Sequence, residues 1–311
     1  MAVDVIGLGF AAMDIVLNTE DLPKEDGFSF VHRERLLAGG SCANAMAAIS
    51  RLGGASGLIA KVGDDHYGRF FVRDLQASGV LSSGVLVKPE GTTLHNFIAV
   101  TADGQKSIFS HLGDSLLSLT EDAVSTEMLT GVRAFYNEMI PAGPALKLSR
   151  FCKKSGIPVI FNLQVGLGFM ALCGVSRGAL DEMLAMCDLF ITNGHFIREL
   201  AGKDDGVDAA HTVYDEYRPP LGLIVTRGAK GCCHVHENGS TKLSAVKVRS
   251  VDTTGAGDAF SAGLLYGRFV KGFGMKEALW FATGCAALKC TQAGPRLNAK
   301  ETDILGLLER Q

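Results

Sequence analysis

Residues 251–260 read Val-Asp-Thr-Thr-Gly-Ala-Gly-Asp-Ala-Phe: Gly255, Ala256 and Gly257 run straight into Asp258, and an apolar helical pattern follows. Glycine at 255 and 257 leaves backbone amides unshielded, and a helix N-terminus adds a field that favours negative charge. Such a turn could stabilise an oxyanion or a transferring phosphoryl group without reorganisation, with a carboxylate at hand to accept a proton. The same aspartate could instead be a plain helix cap, which needs only one acceptor. The chain contains no Walker A sequence, so this turn is the one convincing phosphate cradle it offers.

Two further stretches could bind a ligand. In AGGSCANAMAAISRLGG (38–54), Gly39-Gly40 permits a turn closed to larger residues, Ser41 suits an N-cap, and Ala43, Ala45, Ala47 and Ala48 allow close helix packing. Asn44 falls in the first turn of that helix, where its amide can face the carboxyl edge of a sheet. Taken alone, the stretch is read equally well as an ordinary capped, alanine-rich helix. GLGFAA (7–12) nearly matches the G-x-G-x-x-G/A dinucleotide fingerprint, which requires a helix to begin there. The continuation MDIVLNTEDLPKEDG, with Pro23 and Gly27, reads as extended chain. That makes a nicotinamide or flavin site the weaker reading, and Asp14 is better placed for the hydroxyls of a neutral polyol.

The elements that must position these residues follow from the hydrophobic pattern. Apolar runs at 57–63, 156–162, 187–193 and 221–228 alternate with helical patterns at 41–52, 143–154, 178–186 and 207–217, and the last third turns helical at 258–271, 275–292 and 301–310. Strands alternating with amphipathic helices predict a mostly parallel sheet covered on both faces. Segments 15–38 and 84–111 alternate with a period of two and carry hairpin signals such as Asp103-Gly104, which predicts a small antiparallel sheet serving as a lid over the carboxyl edge. The chain reads as one catalytic domain over 1–311 with these lid strands inserted.

Composition narrows the class of function. With 311 residues, 47% hydrophobic, 20% charged and a formal charge of −3, the chain gives no electrostatic reason to expect nucleic acid or an anionic membrane as partner. Its eight cysteines form no CxxC pair and sit mostly in apolar surroundings, which predicts reduced thiols and a cytoplasmic location. The apolar N-terminus lacks a basic flank and is broken by Asp4 and Asp14, so it reads as a buried first strand.

GGSCANAMAAISRLGG and DTTGAGDAFSAGLLYG together resemble, in order and separation, the two signatures of the ribokinase-like (PfkB) carbohydrate kinases, and the resemblance spans essentially the whole chain. It implies a Rossmann-type three-layer α/β sandwich with a β-sheet lid, and transfer of the γ-phosphoryl of ATP to a hydroxymethyl group of a sugar or nucleoside. By that resemblance Asp258 is the base, and Gly255, Ala256 and Gly257 are the anion hole. Asp14, Gly39, Gly40, Asn44 and Glu138 are implied as substrate-binding. Asn193, Thr226, Gly228, Gly231 and Thr283 are implied on the nucleotide side. Asp252 and Thr254 match positions that line a monovalent cation site in many relatives. Implied cofactors are ATP and Mg2+, with K+ in those relatives, and some relatives dimerise through the lid.

One departure stands out. The family pattern Asn-x-x-Glu, whose glutamate helps hold magnesium through water, has Phe196 at its last position here. Glu199 comes three residues later and could substitute only if the helix after Asn193 began late. The departure leaves a catalytically silent nucleotide-binding relative as one alternative. For the acceptor, a sugar or sugar derivative is favoured over a nucleoside. His95 or Asn96 on the lid could contact it, although solvated strand residues are the plainer reading, and the single Trp280 reads as core.

Overall fold

The computed structural model describes residues 3–311. Its large sheet uses β1 (Val5–Leu8), β4 (Ser56–Gly63), β5 (Leu81–Lys88), β8 (Ala134–Asn137), β9 (Val159–Asn162), β10 (Leu189–Asn193), β11 (Leu223–Thr226), β12 (Cys232–His236) and β13 (Gly239–Leu243). The spatial order is β13-β12-β11-β10-β9-β8-β1-β4-β5. All neighbours from β11 to β5 pair in parallel, and β12 and β13 add an antiparallel edge.

Among the described residues ten α-helices accompany this sheet: α1 (Ser41–Leu52), α2 (His66–Ala77), α3 (Ala142–Ser155), α4 (Leu167–Leu172), α5 (Arg177–Met186), α6 (Gly194–Ala201), α7 (Gly206–Tyr217), α8 (Ala256–Leu265), α9 (Met275–Cys290) and α10 (Glu301–Leu308). Side chains alternate across the strands and feed two cores. Val5, Ile160, Ile191 and Ile224 pack with α1, α8 and α9, whereas Ile6, Phe161, Phe190 and Val225 pack with α3, α5, α6 and α7. Near-continuous apolar strands are what a sheet buried on both faces requires. The alanine stripe of α1 lets it lie directly against α8 in the first of these cores.

A second sheet has the order β3-β2-β6-β7, from β2 (Ala12–Thr19), β3 (Val31–Gly39), β6 (His95–Thr101) and β7 (Lys106–His111). Two expectations are corrected here. Residues 84–88 belong to β5 at the edge of the large sheet, so the second small-sheet segment begins at His95, not near 84. An edge strand is covered unevenly, and the half-exposed alternation of β5 imitates a hairpin strand. The small sheet is also not wholly antiparallel, because its central pair, β2 and β6, runs in parallel from Met13 opposite His95 to Thr19 opposite Thr101.

Candidate active site

The strand order reverses between β1 and β8, and open α/β sheets form a crevice at the carboxyl ends of such strands. Chain leaving β1 passes Gly9 and Phe10 and enters β2 at Ala12, with no helix in between. That excludes the dinucleotide reading of GLGFAA, whose pyrophosphate would need a helix N-terminus there. Chain leaving β8 supplies Glu138. This glutamate is buried behind the crevice, with Oε2 accepting the Phe10 N–H at 2.9 Å and Oε1 3.2 Å from the Tyr136 hydroxyl. Burial pushes its carboxyl up to about 8, against hydrogen bonds from Ser41, Phe10 and Tyr136. Glu138 therefore holds the crevice walls together and does not line the cleft.

Beneath the small sheet lies a cleft of about 220 Å³, lined by Phe10, Asp14, Ser41, Asn96, Ser110 and Phe169 among others. Register places Asp14 opposite Asn96, and Asn96 opposite Ser110, on one face of the small sheet. Asn96 Nδ2 donates to Asp14 Oδ1 at 2.7 Å, and Ser110 Oγ donates to Asn96 Oδ1 at 2.7 Å. Burial raises the Asp14 carboxyl above its usual range, and the Asn96 bond partly offsets this. Asp14 also lies so close to Gly39 that a Cβ there would meet its Oδ2 at 2.5 Å. Gly40, at φ 90°, turns the chain into α1 beside the Phe10 carbonyl. His95 belongs to the other set of alternating residues, where it stacks on His111 with ring centroids 4.8 Å apart.

A larger cleft of about 850 Å³ opens along the carboxyl end of β11 and the N-terminus of α8. Thr226, Gly228, Gly231 and Thr283 line it, together with Ala256 and Gly257. Gly255 caps α8 in the left-handed region (φ 75°), where a Cβ would collide with the Pro295 carbonyl. Ala256 N–H turns back to the Thr253 carbonyl at 3.2 Å, whereas the Gly257 and Asp258 amides find no acceptor among the described residues. A Cβ on Gly257 would meet nothing within 4 Å, so its Cα borders open space. Free first-turn amides beside a roomy cleft form an anion site. Asn193 does not line this cleft. It caps α6, its Oδ1 accepting the His195 and Phe196 amides at 2.8 and 3.0 Å. Trp280 is half-buried on α9 and lines neither cleft.

Asp258 joins the two clefts. Its Oδ2 accepts from Asn44 Nδ2 at 2.9 Å, which couples the first turn of α8 to the first turn of α1. Burial pushes the Asp258 carboxyl up to about 6, with the Asn44 bond and the Lys289 charge opposing and Asp14 adding to the rise. Sequence reasoning missed the supports. Arg296 Nε donates to Asn44 Oδ1 at 3.4 Å, while its Nη1 pairs with Asp74 on α2 and donates to Ser78 Oγ at 3.1 Å. Asn162 Nδ2 reaches the Tyr136 hydroxyl at 2.8 Å and Ser261 Oγ at 3.1 Å, tying β9 to α8 through a buried network. Nothing in the sequence flags these partners, because they meet only across the fold.

The nucleotide side fits a protein-held magnesium poorly. Helix α6 begins at Gly194, directly after Asn193, so it does not start late. Phe196 packs against the apolar core, and Glu199 Oε1 accepts the Leu167 N–H of α4 at 3.0 Å. Among the described residues no group of three or more His, Cys, Asp or Glu is arranged to hold a metal ion.

Asp258 thus stands between a polar cleft under the small sheet and a helix N-terminus whose first-turn amides are free. The family model described as pfkB family carbohydrate kinase matches residues 3–302, and the chain belongs to that family. It is an ATP-dependent carbohydrate kinase. Fructokinase-1 of Zea mays is 29% identical over 289 residues, 88% of either chain. The ATP-dependent ribose-1-phosphate kinase of Halopiger xanaduensis is 30% identical over 301 residues, 94% of either chain. A ribokinase-fold protein of E. coli, solved in complex with ATP and Mg2+, superposes with a TM-score of 0.86 at 22% identity, covering 99% of this chain and 100% of that one.

Proposed function

We propose that this chain transfers the γ-phosphoryl group of ATP to a hydroxymethyl group of an uncharged sugar or sugar derivative. ATP occupies the cleft beside Thr226 and Thr283, with Asn193 opposite Thr226 on the neighbouring strand, and the acceptor occupies the cleft under the small sheet. The single observation that carries this reading is the 2.9 Å bond from Asn44 to Asp258, which brings the two sequence signatures onto one proton acceptor between the clefts. As the acceptor oxygen bonds to phosphorus, its proton passes to Asp258 Oδ, the bond to the β-phosphate oxygen breaks, and ADP leaves. The free Gly257 and Asp258 amides would face the charge on the transferring group. A carboxyl at about 6 is a stronger base than an ordinary aspartate, yet it still acts late, once bonding to phosphorus has acidified the alcohol.

The acceptor cleft supports a neutral ligand. Asp14 is its one charged lining residue and no lysine or arginine faces it, so it offers no partner to a sugar phosphate or sugar acid. Asp14, Asn96 and Ser110 would bind hydroxyls, and Phe10, Leu94 and Phe169 would cover an apolar sugar face. The exposed Phe28, Phe30, Phe97 and Phe109 of the small sheet and its β2–β3 connection support a homodimer through the lid. All eight cysteines are free, which supports a reducing, cytoplasmic setting, and no helix among the described residues is long and apolar enough to cross a membrane.

Coupled detection of ADP tests the reading, across ketoses, aldoses, sugar phosphates, sugar acids and nucleosides with magnesium present. Turnover is expected with a neutral sugar such as fructose or ribose. Turnover confined to nucleosides would replace the sugar assignment with a nucleoside kinase. Phe196 and the diverted Glu199 concern the magnesium side alone, and ATP binding without ADP release on any acceptor would overturn the proposed transfer.

A further inference from the structure

Lys289, in the last turn of α9, is wholly buried. Its Nζ donates to the Asp252 carbonyl at 2.8 Å and to the Gln292 carbonyl at 3.1 Å. These carbonyls belong to two loops that flank the α8 N-terminus. The Asp252 carboxylate bridges the same loops, Oδ1 accepting the Thr254 N–H and Oδ2 the Gly294 N–H, both at 2.9 Å. The Val251 and Asp252 amides add bonds to the Cys290 carbonyl. Although burial works against its charge, the Asp252 carboxyl is held below the usual range by the Thr254 and Gly294 amides and by Lys289.

Convergent carbonyl oxygens beside a carboxylate are the donor set of a hard cation. A buried ammonium is costly unless its charge is compensated and hydrogen-bonded; here two carbonyls accept from it, and the charge of the nearby Asp252 carboxylate favours its ionised form. The expected monovalent metal site at Asp252 and Thr254 therefore does not fit these residues, because the Asp252 carbonyl already accepts from Lys289. We propose that the Lys289 ammonium is the built-in cation of this site, holding the loop that leads into the anion hole and making the enzyme independent of K+. Lys289 acts through that loop and is a positioning residue; the kinetic arm of its test rests on the kinase reading above, the structural arm does not.

Thermal unfolding and initial rates are compared in KCl and in choline chloride at equal ionic strength, for wild type and Lys289→Ala. Wild type is expected to melt at the same temperature in both salts, with rates within about twofold. Lys289→Ala is expected to lose about tenfold or more in rate in choline chloride, the worth of a charged hydrogen bond. KCl should raise its melting temperature selectively and restore part of the rate. A several-fold K+ activation of wild type overturns the proposal, as does Lys289→Ala with wild-type rate and no K+ response. If Lys289→Ala does not fold, Lys289→Gln takes its place. Should neither fold in choline chloride, recovery of folding in KCl supports the proposal, and failure in both salts overturns it. If no acceptor turns over, the kinase reading fails while the melting comparison still decides the role of Lys289.

Discussion

The two clefts are built by different means. The donor cleft, about 850 Å³, is walled largely by small residues and backbone, with Gly228, Gly231, Ala256 and Gly257 along it. The acceptor cleft of the proposed reading, about 220 Å³, takes its polar lining from Asp14, Asn96 and Ser110 on three strands of the small sheet and from Ser41 on α1. Backbone amides recognise an anion whatever side chains surround them, so a donor site of this kind suits a shared phosphate donor. A side-chain site changes its preference with each substitution, so on the proposed reading acceptor choice would reside under the small sheet. Asp258 lines neither cleft but is bonded to Asn44 between them, and variants can separate the two.

The largest effect is expected for Asp258→Asn. It should lower kcat by about 10³-fold, within the range of general-base catalysis, and leave ATP binding intact. Wild-type kcat/KM should fall as pH drops through about 6, because the carboxyl must be ionised to accept the proton, and this acid limb should vanish in the variant. A raised carboxyl pKa costs the folded state stability above the ordinary aspartate value. The variant should therefore melt above wild type at pH 8, with the gain fading as pH falls from about 6 towards the usual aspartate range. Near-normal turnover would end the base assignment.

Next, Asp14→Ala should raise the acceptor KM by about 10- to 100-fold through loss of a charged hydrogen bond, with the ATP KM unchanged. Equal rises in both constants would show that the two clefts are not independent. Asn96→Ala added to it should cost less than the sum of the two single effects, since the pair share one hydrogen bond.

Glu138 distinguishes the shared wall from either cleft. Its carboxyl, near 8, is largely neutral at pH 7, so Glu138→Gln should fold normally there and gain stability over wild type as pH rises towards 8. Glu138→Ala leaves the Phe10 N–H without an acceptor and the Tyr136 hydroxyl with only its bond from Asn162, and should cost about 1–3 kcal/mol, read by denaturant unfolding. The smallest effect belongs to Arg296→Met, expected to lower kcat by about 3- to 10-fold through loss of the Asn44 contact, with the acceptor KM nearly unchanged. Arg296→Lys keeps a charge for Asp74 but cannot span to Asn44 as well, and should recover stability more than kcat.

Local chemistry accounts for what could be read in advance. The helices at 41–52 and 207–217, the glycine turn before Asp258 and the parallel strands each depend on residues adjacent in the chain, and their patterns are visible there. Residues 84–88 were misread because an edge strand and a hairpin strand share one alternation, and only pairing tells them apart. His95 and Asn96 are neighbours with opposite fates, and the register against Asp14 decides which of them lines the cleft. Ser110, Arg296 and Lys289 carry no motif at all.

By itself, the sequence determined the alternation of strands and helices, the glycine turn at Gly255–Gly257 and the carboxylate beside it, because capping, glycine conformations and hydrophobic period act over a few residues. The tertiary structure alone decided that Asn44 would meet Asp258 across 214 positions and that Arg296 would hold Asn44 across 252. It likewise decided that Glu199 would turn to α4, and that a buried lysine would sit among the carbonyls behind the anion hole. Those outcomes depend on which elements pack together, and the burial that raises the carboxyls of Asp258 and Glu138 exists only once they have done so.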